Sequence, residues 1–135
     1  MGERLWNAYL ETQESYRGLI FIGSDTPGLP LNLITGAFDV LVRKPAVIGP
    51  VPDGGYYLLG LSQPLRKLFR GIDWGSERVL EQTLATLDES EYELLPEWND
   101  VDAVADLIEL RSRLDSPNAS AAPRTAACLE RLDLF

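Results

Sequence analysis

Four aspartates stand where strand-like runs give way to turn residues. Asp25 follows Leu19-Ile20-Phe21-Ile22, Asp53 follows Ala46-Val47-Ile48, and Asp100 and Asp102 follow the run from Tyr92 to Leu95. Carboxylates at such positions suit a hard divalent cation, which one or two of them can hold together with substrate phosphates. The cation would screen a diphosphate and stabilise it as a leaving group. The rest of the sequence narrows the chemistry to this kind. There is no histidine and a single cysteine, Cys128. That excludes Cys-rich zinc sites, internal disulfides, and Ser-His-Asp or Cys-His catalysis within one chain. General acid–base work is left to carboxylate, lysine or tyrosine.

Each aspartate also has a purely structural reading. Asp25 in Ser-Asp-Thr-Pro and Asp53 in Pro-Asp-Gly are ordinary turn formers. Asp100 and Asp102 precede a helical pattern and would serve as its cap or complement its dipole. Trp74, a candidate wall for an acceptor pocket, belongs by type more often to a core. Spacing along the chain does not show whether these carboxylates meet.

Alternating strands and helices would have to bring them together. Leu5, Trp6, Tyr9, Leu10 and Gln13 recur at helical spacing, which predicts an amphipathic helix from Glu3 to Tyr16. The continuous run Leu19 to Ile22 reads as a central strand buried on both faces of a parallel sheet. Gly23 to Gly28 is dense in turn residues, and Pro30 then opens a helix to about Leu41. Ala46 to Ile48 and Tyr56 to Leu61 read as strands around a glycine-containing loop, followed by a helical turn from Pro64 to Phe69. Ser76 is a suitable cap for a helix from Glu77 to Leu87. A fourth strand, Tyr92 to Leu95, precedes a helix carrying Val104, Leu107, Ile108 and Leu114. Open α/β sheets of this kind bind ligands beyond the carboxyl ends of their strands.

Residues 1–114 are expected to form one α/β domain, and residues 115–135 a linker, from Asp115 to Pro123, and a short helix from Ala126 to Leu134. The Asn118-Ala119-Ser120 sequon has no expected role. The formal charge of −9, from 21 acidic and 12 basic residues, opposes binding to nucleic acid. The longest basic runs are the pairs Arg43-Lys44 and Arg66-Lys67, too short for a polybasic membrane anchor. Neither a membrane span nor a secretory signal is legible, so the expected location is the cytoplasm.

Several motifs together resemble one family. They are Phe21-Ile22-Gly23-Ser24-Asp25-Thr26-Pro27-Gly28-Leu29, Ile48-Gly49-Pro50-Val51-Pro52-Asp53-Gly54-Gly55 with Tyr56 to Leu61, Gly71-Ile72-Asp73-Trp74-Gly75-Ser76, and Asp100-Val101-Asp102. Their order and spacing are similar to those of bacterial glycosyltransferase-like proteins of the GT-A (nucleotide-diphospho-sugar transferase) superfamily. Those include the arsenosugar-biosynthesis type and are related to molybdenum-cofactor nucleotidyltransferases. The resemblance implies a three-layer α/β fold with a mixed sheet. It also implies Asp25 and Asp102 as ligands of Mg²⁺ or Mn²⁺, Asp53, Gly54 and Gly55 as donor contacts, and a nucleotide-sugar donor with a separate acceptor.

Full-length members of that family begin with a strand and a Gly-rich basic loop that this sequence does not show, and no phosphate-binding Gly-x-x-x-x-Gly-Lys-Ser/Thr motif replaces it. The expectation is therefore a truncated GT-A-like homologue, its N-terminal strands missing, that binds nucleotide weakly or not at all in isolation. The alternatives are a nucleotidyltransferase of the molybdenum-cofactor type and a non-catalytic oligomeric remnant. A second copy, forming a homodimer, is the expected cover for the apolar strand Leu19 to Ile22.

Overall fold

The computed structural model describes residues 1–114 and 122–131 of the chain. The apolar runs become strands β1 (Leu19–Ile22), β2 (Ala46–Pro50), β3 (Tyr56–Leu61) and β4 (Tyr92–Leu94). The helices are α1 (Gly2–Gln13), α2 (Leu31–Leu41), α3 (Val79–Leu84), α4 (Val104–Leu114) and α5 (Pro123–Arg131). A short 3-10 turn covers Arg66–Phe69.

The strands form one mixed sheet in the order β1-β3-β2-β4. β3 is antiparallel to both β1 and β2, and β2 is parallel to β4. Hence β1, β2 and β4 all point the same way, and their carboxyl ends share one edge with the start of β3. Side chains alternate across the sheet because a strand repeats every two residues. Ala46 and Ile48 join Trp6, Tyr9, Leu59, Leu61, Leu68 and Phe69 in the core on the α1 face. Val47 joins Ala37, Val40, Leu41, Val51, Tyr57 and Leu58 in the core on the α2 face. Helices on both faces complete the three-layer α/β architecture.

One irregularity reshapes the sheet near its functional edge. The β2–β3 register runs from Ala46 opposite Leu61 to Gly49 opposite Leu58, then shifts so that Pro50 faces Tyr56. Tyr57 is the extra residue, and a bulge of this kind re-aims side chains. It puts Tyr57 beside Leu58 in the α2-face core and leaves Tyr56 packed against the α1-face core. The Tyr57 hydroxyl donates to the Pro96 carbonyl at 3.0 Å. Its ring occupies the space that a Cβ at Gly49 would need.

Several elements differ from the sequence reading. Among the described residues β1 lies at one end of the strand order and pairs antiparallel with β3, not at the centre of a parallel sheet. Its first three residues are half-buried and Ile22 is 43% exposed. Its neighbour is antiparallel because β3 returns through the Asp53-Gly54 turn and inserts between β1 and β2, which the apolar composition of β1 does not reveal. α1 ends three residues before Tyr16. α3 begins at Val79 because Ser76 closes a turn ahead of it: its hydroxyl donates to Asp73 O at 2.8 Å and accepts from Arg78 N at 3.2 Å. On α4 the inward residue is Leu110, while Val104 and Ile108 face solvent. α5 starts three residues before Ala126. Residues 115–121 of the expected linker, the sequon within them, and residues 132–134 of the expected last helix lie outside the described residues. Among the described residues no helix is long and apolar enough to cross a membrane.

Candidate functional site

Backbone hydrogen bonds at the shared edge determine which aspartates meet. After β1, Gly23 N donates to Tyr57 O at 2.9 Å and continues the pairing by one residue. The chain then turns: Thr26 Oγ1 donates to Gly23 O at 3.1 Å, and Leu29 N to Thr26 O at 3.2 Å. This turn buries Thr26 and leaves Asp25 exposed just past the strand. Beyond β4, Leu95 N bonds to Ile48 O at 2.8 Å and Trp98 N to Pro50 O at 3.1 Å, so the chain keeps tracking β2. It then crosses to the β1 loop, where Val101 N donates to Asp25 O at 2.9 Å. Asp100 and Asp102 flank Val101, so this one bond brings both beside Asp25.

One carboxylate oxygen each from Asp25, Asp100 and Asp102 lies within 4.8 Å of the other two. The set consists entirely of hard oxygen donors, the kind that Mg²⁺, Mn²⁺ and Ca²⁺ prefer. Neither Asp100 nor Asp102 is the cap of α4. That role is taken by Asp106, whose Oδ2 accepts from Asp102 N at 3.0 Å and Ala103 N at 2.7 Å. The Asp100 carboxyl is held above the ordinary carboxylate range, first by burial and then by the nearby charges of Asp53, Asp102 and Asp25, against a lowering backbone hydrogen bond. Crowded like charges that have no role in capping a helix are what a cation site requires before it is filled.

Asp53 lies on the same cleft, in a loop closed by its own hydrogen bonds. Gly54 N donates to Val51 O at 3.3 Å and Gly55 N to Asp53 Oδ1 at 2.9 Å. Both amides are engaged within the loop, so they are not free donors for a phosphate. Gly54 has φ +92°, and a Cβ there would collide with the backbone carbonyl of Glu77. Its own carbonyl accepts from Leu80 N at 2.8 Å. Glycine is required at this position because the start of α3 docks against it.

Asp25, Asp53, Gly55, Trp74, Asp100 and Asp102 all line a cleft of about 550 Å³, within the range of small-ligand sites. Gly54 is not part of that lining. Phe21, Ile22, Tyr56, Ser76 and Glu77, which the sequence reading did not name as site residues, also line it. Among the described residues, therefore, five carboxylates face the cleft and no lysine or arginine does. Tyr56 and Trp74 meet edge to face, with centroids 6.4 Å apart. Burial pushes the Tyr56 phenol up to about 12, opposed by the Thr83 hydroxyl beside it. Neither hydroxyl completes a well-formed hydrogen bond. Tyr56 therefore stays neutral and serves as a wall, not as a base, at physiological pH. The sequence reading places Asp100 beside Asp102 as a strand-end acid, although the resemblance implies only Asp25 and Asp102 as ligands.

Comparison with known proteins agrees with this architecture. The family model described as "Uncharacterized protein conserved in bacteria (DUF2064)" matches residues 1–76. A crystal structure named "putative nucleotide-diphospho-sugar transferase", from Desulfovibrio desulfuricans G20, matches with a TM-score of 0.87 and 34% sequence identity over 96% of this chain. The chain spans 58% of the length of that protein. No curated protein matches.

Proposed function

Because this chain belongs to the bacterial family DUF2064 and has the fold of a nucleotide-diphospho-sugar transferase, we propose that it is a metal-dependent, nucleotide-sugar-using glycosyltransferase homologue. Asp25 and Asp102 would hold Mg²⁺ or Mn²⁺, with Asp100 as a third oxygen donor. The observation that carries this reading is the meeting of those three carboxylates in a single cleft at the carboxyl ends of β1, β2 and β4. Open α/β sheets use this edge for ligands.

When bound, such a cation neutralises the diphosphate of the donor and stabilises it as the leaving group. The chain's own residues then have separate tasks. Asp53 and Gly55 border the donor side, and a Cβ at Gly55 would press on Asp53 Oδ1 and Val51 Cγ2, each 3.3 Å away. Trp74 and Tyr56 form an apolar wall against which a sugar or acceptor would pack and from which water is excluded. Gly54 acts indirectly by fixing the loop against Glu77 and Leu80. With no basic side chain on the cleft, the donor's charge is met through the cation, and binding of nucleotide alone is expected to be weak.

The test is titration of Mn²⁺ with UDP-sugars and nucleoside triphosphates, followed by product analysis. Release of nucleoside diphosphate is expected. Release of pyrophosphate from a triphosphate would replace this reading with that of a nucleotidyltransferase. An Asp25→Ala variant that binds Mn²⁺ and UDP-sugar as well as the parent would remove the site assignment.

A further inference from the structure

Asp100 and Asp102 sit on irregular backbone, whereas a cation is exacting about where its ligands stand: Mg²⁺ demands near-ideal octahedral geometry at roughly 2.0–2.1 Å. After Trp98 N bonds to Pro50 O at 3.1 Å the chain leaves β2, and Val101 N then bonds to Asp25 O at 2.9 Å. Helix α4 folds back over this segment and offers it three side chains. Asp106, Glu109 and Arg113 lie three and four residues apart and so share one face of the helix. Asp106 takes the amides of Asp102 and Ala103. Glu109 Oε1 accepts from Asn99 Nδ2 at 2.9 Å, immediately before Asp100. The Arg113 guanidinium lies 5.2 Å from the centre of the Trp98 ring, and its Nε is 3.9 Å from the same Glu109 oxygen. Trp98 in turn packs against the α2-face core. At its far end α4 also reaches the loop after β1, where Leu114 Cδ2 would lie 3.8 Å from a Cβ at Gly28. One helix therefore touches both segments whose carboxylates meet.

We infer that Asn99 and Glu109 are positioning residues for the cation: their hydrogen bond, braced by Arg113 on Trp98, sets how Asp100 and Asp102 approach Asp25. Neither residue lines the cleft, so each acts through the carboxylates and not on a ligand. The bond is exposed, and the Glu109 side chain is 55% exposed, so it adds little to the stability of the fold. Its leverage is on geometry, because Asn99 is joined directly to Asp100 and a small turn of the backbone there moves both acids. Outer partners that orient metal ligands change affinity by roughly 10–100-fold when removed. The strap between α4 and the acidic loop rests on its own contacts. Its role toward a cation rests on the transferase reading above.

Calorimetric titration of the full chain with Mn²⁺ alone should show Asn99→Ala and Glu109→Ala each binding about tenfold more weakly than the parent, with an unchanged Tm. Combining the two should cost no more than either, because they remove the same bond. Glu109→Gln keeps an oxygen for the Asn99 amide and should bind as the parent does. Parental affinity in Asn99→Ala overturns the inference. Equal weakening in Glu109→Gln and Glu109→Ala also overturns it, because the effect then belongs to charge and not to the hydrogen bond. Hydrogen exchange of the metal-free chain supplies a second readout. In Asn99→Ala the Val101 amide should exchange faster than in the parent, while the core amides of β2 and β3 keep their rates. Unchanged exchange at Val101 overturns the strap. If the parent binds no Mn²⁺, the cation reading fails together with the role of Asn99 and Glu109 toward it, while exchange at Val101 still decides whether the strap holds the loop.

Discussion

At the middle of the sheet Val47, Ile48, Leu58, Leu59 and Leu61 are at most 1% exposed and interlock with helices from both faces. A few residues further along the same strands, Asp25, Asp53, Asp100 and Asp102 crowd one open cleft, and among the described residues no basic side chain offsets them. The two regions share a backbone framework but treat free energy in opposite ways. The centre gains from burial of apolar surface, roughly 1.5–3 kcal/mol for each large side chain. The mouth is held against the repulsion of its own charges. Such an arrangement persists because the centre is stable enough to carry it, and a ligand relieves it. The difference teaches where binding and stability can be separated by mutation.

The largest effect should come from breaking the centre. Leu59→Ala removes a buried side chain that cannot be replaced by collapse of its neighbours, and it should cost about 2–5 kcal/mol in urea unfolding. A loss below 1 kcal/mol would mean that the centre is looser than its burial implies. The mouth should respond to ligand instead. A divalent cation at about 100 times its dissociation constant should stabilise the parent by about 2.7 kcal/mol. Asp25→Ala should abolish that gain without lowering the metal-free Tm. If the variant is stabilised as much as the parent, the carboxylate trio is not the cation site.

Gly54 joins the two regions, and a side chain there should damage both. Gly54→Ala meets a positive φ and the Glu77 carbonyl, so a loss of about 1–3 kcal/mol is expected, with weaker ligand binding. The smallest effect should be a gain. The Asp100 carboxyl titrates above its unfolded value, chiefly through burial and secondarily through Asp53. Its ionised form therefore opposes folding fully above the raised value, and the penalty disappears once pH falls below the unfolded value of about 4. Asp100→Asn should be slightly more stable than the parent at pH 7, and the advantage should shrink as pH falls through the carboxylate range. An advantage that stays constant with pH would assign it to packing instead of charge.

Most elements were legible because their signals are local. The glycine-bounded run at β1 and the Pro30 start of α2 depend on neighbours in sequence, and their bounds agree with the structure to within a residue. Less was legible where an element's surroundings decide it. The start of α3 moved because Ser76 bonds back to Asp73, and Val104 and Ile108 proved exposed because Leu110 takes the inward face of α4. At the site, Asp25, Asp53, Asp100 and Asp102 were all readable as strand-end acids, but the meeting of Asp25, Asp100 and Asp102 and the prior use of the Gly54 and Gly55 amides were not. Those depend on bonds made after the loops are in place.

The sequence by itself narrowed the available chemistry: without histidine and with one cysteine, metal ligands are left mainly to oxygen donors and acid–base work to carboxylate, lysine or tyrosine. It also determined which segments extend and which coil, since side-chain periodicity is a property of consecutive residues. Tertiary structure alone decided that β3 lies between β1 and β2, which makes the neighbour of β1 antiparallel instead of parallel. It alone decided that Val101 bonds to Asp25, which converts distant acids into one cluster. Strand order and loop crossing are set by which surfaces bury one another across the whole chain, and no local pattern encodes that choice.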